Sequence, residues 1–191
     1  MLDLATGVTT FRDTVFPAKA GLFTRLASTH APHTLFVGCS DARVVPELIT
    51  SSEPGELFVI RTAGNLVPAY RADCDGVTAS VEYAVEVLGV RRIVVCGHSS
   101  CGAMTALAER QDLTATPTVA GWLRHADAAV VRSTGPDAVA AMVRANVRAQ
   151  LANLTTHPAV ARALADDRVA LEGWVFDIGS GSIASVDSSG D

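Results

Sequence analysis

Two short apolar runs each end on a glycine followed by a side chain that can bind a metal. Leu35-Phe36-Val37 closes at Gly38-Cys39, and Ile93-Val94-Val95-Cys96 closes at Gly97-His98. Runs this short, apolar at every position and bounded by turn residues, read as strands buried on both faces. Leu57 to Ile60 forms a third. Between them Val77, Val81, Ala84, Val85 and Leu88 recur at helical spacing, with Asp75 placed to cap the start and Gly89 to stop the end. Val139, Val143, Val147 and Leu151 mark a further amphipathic helix ending near His157-Pro158, and residues 169–177 and 182–186 read as a closing hairpin around Gly179 to Gly181. Strands alternating with helices imply right-handed crossovers, so the expected fold is α/β with a mostly parallel central sheet flanked by helices. Residues 3–16 read as a helix and a second follows Pro17, which suits a first helical turn. The expected architecture therefore adds an N-terminal helical arm (1–30) and a C-terminal edge hairpin. No repeat, low-complexity tract or linker divides the chain, and 1–191 is expected to be a single domain.

Hydrophobic residues make up 49% of the chain, yet no apolar run approaches the roughly 20 residues that span a bilayer. The surplus apolar surface is assigned to a subunit interface, with no membrane partner. A net charge of -5 and the absence of a basic cluster argue against nucleic acid. Charged residues interrupt the first 25 positions, so no secretory signal is read and a cytoplasmic location is expected. In a reducing compartment the four cysteines are better used for metal binding or catalysis than for disulfides.

Ligands of an open parallel sheet bind at the carboxyl ends of its strands. Cys39 follows the first strand, His98 the third, and Cys101 comes three residues later. Ser99 to Cys101 reads as the start of a helix running to about Glu109, whose N-terminus would favour the Cys101 thiolate. Two thiolates and one imidazole are the ligand set of a catalytic zinc with an open fourth position. Cys96, inside an apolar strand, and Cys74, in a polar loop, read as ordinary packing or inert thiols. Asp41 and Arg43 stand two residues apart in the loop after Cys39. Arg43 is expected to keep Asp41 ionised and oriented, so that Asp41 accepts a hydrogen bond from zinc-bound water. His33, His125 and His157 read as surface or capping residues.

Cys39-Ser-Asp-Ala-Arg43 and Gly97-His-Ser-Ser-Cys-Gly102 resemble the beta-class carbonic anhydrases. The resemblance extends through Pro54-Gly-Glu-Leu-Phe-Val-Ile-Arg61, Ala63-Gly-Asn-Leu-Val67, Ala79-Ser-Val-Glu-Tyr-Ala84 and Gly173-Trp-Val175, from Phe11 to about Ala184. Val45-Pro-Glu-Leu48 and Gln150-Leu-Ala-Asn-Leu154 are similar to the bacterial cyanate-operon-type members. The resemblance implies reversible hydration of carbon dioxide to bicarbonate and a proton, by attack of zinc-bound hydroxide oriented by the Asp41–Arg43 dyad, with one Zn2+ per chain. Two thiolates cancel the ion's charge, so its water should be less acidic than at a three-histidine site. It also implies a homodimer or a higher homo-oligomer built from dimers, with the arm at the dimer interface and the active site nearby.

The family's substrate pocket corresponds here to Phe58, Tyr83 and Gly102; a valine common there is Ala63. His30 stands where relatives commonly carry a glutamine that hydrogen-bonds substrate, and it either serves the pocket or is merely exposed. Some beta-class members close their site when bicarbonate binds a tryptophan, an arginine and a tyrosine. The counterparts here are Phe36, Arg61 and Phe176; without the polar N–H and O–H, bicarbonate is not expected to be an effector. Two other readings stay open: a zinc-stabilised scaffold without catalysis, against which the Asp41–Arg43 pair argues, and a zinc hydrolase acting on another small electrophile such as carbon disulfide.

Overall fold

The computed structural model describes residues 3–73, 75–130 and 137–187, which form two compact units, Met1–Ala31 and Pro32–Asp191. Cys74 lies outside the described residues. In the first unit α1 (Leu4–Thr10) runs on through wider π-type turns at Phe11–Val15 into α2 (Phe16–Ala18), and α3 (Ala20–Leu26) follows. Pro17 therefore does not separate two helices as its position suggested; the break comes at Lys19, with φ -115 and ψ 16. A proline inside a helix removes a backbone donor and crowds the preceding turn, and the wide turn just before it relieves both. The rings of Phe11, Phe16 and Phe23 pack together, Phe16 stacked on Phe23 at 5.3 Å.

The second unit is a five-stranded sheet in the order β2-β1-β3-β4-β5, built from β1 (Thr34–Cys39), β2 (Leu57–Thr62), β3 (Arg92–His98), β4 (Ala170–Phe176) and β5 (Ile183–Val186). All neighbours are parallel except the antiparallel β4–β5 pair, the edge hairpin read from sequence. The connections carry α4 (Pro46–Thr50), α5 (Gly76–Glu82), α6 (Gly102–Ala108), α7 (Pro117–Leu123), α8 (Asp127–Val130), α9 (Ala138–Thr155) and α10 (Pro158–Ala165). Asp75 caps α5 as expected, its Oδ1 accepting from the N–H groups of Val77 and Thr78. Gly89, at φ 65, ends the π-type turn that prolongs this helix. His157 is not a surface residue but takes the N-cap position of α10: it is 2% exposed, and its Nε2 meets the Pro68 carbonyl at 2.9 Å. His33 is exposed, and His125 lies edge-on to Trp122.

Because successive strand residues face opposite sides, Leu35, Val37, Ile93 and Val95 form one core with Val147, Leu151 and Leu154 of α9 and Val160 and Ala163 of α10. Phe36, Val94 and Cys96 form a cluster with Val59, Trp174 and Phe176. Helix α9 lies close on β3 and β4 because both strands present glycine beneath it. A Cβ on Gly173 would stand 2.8 Å from Val147 Cγ1 and 2.8 Å from the Val186 carbonyl, and one on Gly97 2.9 Å from Val147 Cγ2. Gly173→Ala should therefore lose about 1–3 kcal/mol of stability by overpacking, seen as a lower urea midpoint; an unchanged midpoint would show that α9 can move freely off the sheet.

Candidate metal centre

Strand order turns between β1 and β3: the chain lays β2 on one side of β1, then β3 on the other. The carboxyl ends at such a switch point open a crevice between diverging loops. Cys39 is the last residue of β1 and His98 the last of β3, and Cys101 occupies the N-cap position of α6. A tight reversal with Ser100 at φ 54 separates His98 from Cys101. The ligand atoms of the three residues lie within 4.8 Å of one another, with exposures of 6%, 0% and 1%.

His98 Nδ1 is 2.9 Å from the Ser99 carbonyl. Only an acceptor stands there, so Nδ1 carries the proton and Nε2 presents its lone pair. That Nε2 is wholly buried and has no hydrogen-bond partner. Leaving such an atom unsatisfied costs about 1–3 kcal/mol, a debt that a metal ion removes. The Cys39 thiol is drawn down: the Cys101 thiol donates to it, burial opposes, and the N–H groups of Asp41 and Gly64 assist. Cys101 is pushed up by the same sharing with Cys39 and by burial, although the N–H groups of Ala103 and Met104 at the start of α6 pull the other way. The helix start thus acts as expected but is outweighed by the neighbouring sulfur. Buried sulfur, sulfur and imidazole with one lone pair converging fit the ligand preference of zinc.

Asp41 sits beside this group, its Oδ2 3.9 Å from His98 Nε2. Arg43 grips the carboxylate in a fork, Nε to Oδ1 at 2.9 Å and Nη2 to Oδ2 at 2.7 Å, and its backbone N–H adds a third bond at 2.9 Å. The fork and that N–H hold the Asp41 carboxyl well below the usual carboxylate range. Arg43 Nη2 also donates to the Ser100 carbonyl at 3.2 Å, tying the loop after β1 to the loop after β3. Arg61 donates to the carbonyls of Cys39 (3.0 Å) and Asp41 (2.6 Å). Phe36 is buried edge-on to Trp174, and Phe176 packs into the same cluster. Cys96 is fully buried there, its thiol pushed up to about 12 by burial.

Phe58 and Tyr83 are not gathered in this way. Gly102 directly follows Cys101. Phe58 pairs with Leu35, at the opposite end of β1 from Cys39, which is about 13 Å away at the rise of a strand. Tyr83 is tilted against Phe58 at 6.0 Å and is 43% exposed. His30 is exposed and belongs to the first unit.

Sequence reasoning quoted Ala63 to Val67 only for its resemblance and read no turn there. Gly64 has φ 74 and Asn65 φ 51, and the Gly-Asn pair was the available signal. Side chains clamp this backbone: Trp122 Nε1 donates to the Ala63 carbonyl, Asn146 Nδ2 to the Gly64 carbonyl, and Asn153 Nδ2 to the Val67 carbonyl, while Gln150 Oε1 accepts from the Val67 N–H.

The carbonic anhydrase family profile matches residues 34–183. A carbonic anhydrase of Pseudomonas aeruginosa is 54% identical over 195 residues, covering 99% of this chain and 89% of that protein. The structure of the beta-carbonic anhydrase CcaA superposes with a TM-score of 0.91 at 39% identity, covering 95% of this chain and 85% of the other. Tetrameric beta-carbonic anhydrases of Sordaria macrospora superpose with a TM-score of 0.81 at 29% identity, covering 96% of this chain and 94% of the other. With the fold, the coverage and the cysteine–histidine–cysteine group in agreement, this chain belongs to the beta-class carbonic anhydrase family.

Proposed function

We propose that Cys39, His98 and Cys101 hold one zinc ion per chain, and that Asp41 and Arg43 serve the reversible hydration of carbon dioxide to bicarbonate and a proton. The observation that carries this reading is a buried ligand trio within 4.8 Å beside a carboxylate held by a guanidinium fork. When bound, zinc supplies a Lewis acid that makes water a nucleophile near neutral pH. Asp41, kept ionised by Arg43, can only accept hydrogen bonds, so it fixes where a proton-bearing nucleophile points its lone pair. Arg61 holds the carbonyls of Cys39 and Asp41 and so keeps their loop from shifting.

Phe58, Tyr83 and His30 line the substrate slot, in this reading, from a second copy, since β2 places Phe58 far from Cys39 in its own chain. Leu4, Val8, Phe11 and Phe16 of the arm are exposed, and contiguous exposed apolar groups suit a subunit interface. The oligomer is a homodimer or an assembly of dimers, in line with the Sordaria enzymes described as tetrameric. The similarity at Val45–Leu48 and Gln150–Leu154 supports the cyanate-operon-type subgroup. No helix among the described residues is long and apolar enough to cross a membrane. The free cysteines Cys39, Cys96 and Cys101 support a cytoplasmic location. Bicarbonate is not an effector in this reading, because Arg61 is engaged with backbone carbonyls and the two other counterpart positions, Phe36 and Phe176, offer no polar group.

Stopped-flow carbon dioxide hydration with zinc measured on the same sample tests the whole proposal. Cys101→Ala should lose both metal and activity; full zinc retention would break the ligand assignment. Asp41→Asn and Arg43→Ala should keep zinc and lose activity by at least about 10–100-fold, and parental rates at matched zinc would remove the dyad from the mechanism. Since Asp41 is ionised throughout the neutral range, it adds no acid limb, and activity should rise smoothly with pH. A steep cooperative loss near neutral pH, deepened by bicarbonate after correction for product inhibition, would contradict the open, unregulated site.

A further inference from the structure

The loop between His98 and Cys101 is held from two sides. Arg43 takes the Ser100 carbonyl from the β1 side; the other hold comes from β4 and the hairpin turn that follows it. Strand β3 pairs with β4 in parallel, and the last pair in register is His98 with Phe176. One residue past that end the ladder makes one more regular bond, the Ser99 N–H donating to the Phe176 carbonyl at 2.9 Å. In a parallel ladder, a residue that donates to one carbonyl of the neighbouring strand receives, on its own carbonyl, the N–H two residues further along that strand. For Ser99 that donor is the Ile178 N–H. Here the Ile178 N–H goes instead to the Ser99 hydroxyl, 2.9 Å from Oγ. A serine hydroxyl carries lone pairs that can stand in for a backbone acceptor in this way. The Ser99 carbonyl, released from the ladder, accepts from His98 Nδ1 at 2.9 Å.

We infer that Ser99 is a positioning residue of the metal centre: its hydroxyl takes the ladder bond that its carbonyl would otherwise make, and the carbonyl is thereby free to fix the ring of His98. This rests on the reading of His98 as a zinc ligand. The hydrogen bond made by one ring nitrogen decides which of the two keeps the proton. The Ser99 carbonyl therefore holds the proton on Nδ1 and leaves the lone pair on Nε2, the atom that is buried without a partner. Outer partners of this kind govern how firmly a ligand holds its metal. Without the hydroxyl, the Ile178 N–H turns to its regular ladder partner and draws the carbonyl away from the ring. His98 then loses its fixed direction while β3 and β4 keep their pairing.

Ser99→Ala removes the hydroxyl alone. Two measurements on the full chain decide the matter: the rate of zinc release to a chelator, and the proton NMR spectrum of the cobalt(II)-substituted protein, in which a single histidine ligand contributes one exchangeable, hyperfine-shifted N–H. In the parent that signal should be sharp, because the Ser99 carbonyl holds the proton. Ser99→Ala should broaden it by exchange with water and speed zinc release by about 10–100-fold. Ser180→Ala is the control. It removes another hydroxyl of the same hairpin turn, one that donates to Asp177 Oδ1 at 2.7 Å, and should lower the unfolding midpoint while leaving the signal and the release rate in place. A Ser99→Ala protein with the parental signal and release rate overturns the inference. So does a Ser180→Ala protein that changes both as far, since loosening of the turn would then suffice. A parental N–H that exchanges as freely as that of unbound imidazole overturns it even if Ser99→Ala fails to fold. A parent chain that takes up neither zinc nor cobalt would instead refute the ligand assignment, and the inference with it.

Discussion

Two parallel strands lying side by side at the centre of the sheet, each ending on a ligand, set the terms for everything around them. Neighbouring strands stand about 4.8 Å apart, the separation at which side chains from adjacent strand ends can meet one ion. The register of β1 on β3 runs through Gly38 opposite Cys96, so Cys39 and His98 leave the sheet together. Two of the three prospective ligands are thereby fixed by backbone pairing that is complete before any loop is considered. Only Cys101 and Asp41 depend on loops, and both loops are tied: Arg43 bridges from Asp41 to the Ser100 carbonyl, and Arg61 fastens the carbonyls on the other side. A site built in this way is rigid before a metal arrives, and rigidity lets three buried ligands converge without a fourth.

The same construction explains what could be read without coordinates. Uninterrupted apolar runs ending on glycine have few alternatives, so β1, β2, β3 and the alternating α/β plan were legible, and the ligand trio followed from where those runs stop. Asp41 and Arg43 were legible because they are neighbours in the chain. The pocket was less so: Phe58 and Tyr83 came from resemblance, and the strand register puts Phe58 opposite Leu35 rather than Cys39. Pro17 misled for a local reason, since a wide turn upstream absorbs a proline that would normally begin a helix.

The largest omission was on α9. Its apolar positions were recognised, but Asn146, Gln150 and Asn153 were assigned no role. Periodicity assigns such residues to solvent by default, whereas here Asn146 and Gln150 are fully buried. Their partners are backbone groups some 80 residues away in sequence, such as the Gly64 carbonyl and the Val67 N–H. A side chain that pairs with backbone leaves no complementary residue type to find, so a single sequence carries no trace of it. Buried amides are tolerated there because their bonds are made, and an unmade one would be expensive. Helix α9 thus does two jobs at once, closing the core over Gly97 and Gly173 and holding the turn that borders the metal centre.

Charge accounting around the centre bears on the choice of substrate. The Asp41 carboxylate and the Arg43 guanidinium cancel through the fork, and two thiolates cancel a divalent ion. Arg61 is directed at carbonyl oxygens. With the ion in place the assembled centre is close to neutral. A neutral centre has no long-range pull on anions and no penalty for admitting an uncharged molecule, so carbon dioxide enters by shape and apolar contact alone. Arg43 and Arg61, the cations beside the loops of the ligand trio, both donate to oxygen acceptors of the protein itself. The two arginines that hold the loops around the ligand trio thus already direct donors at oxygens of the protein itself.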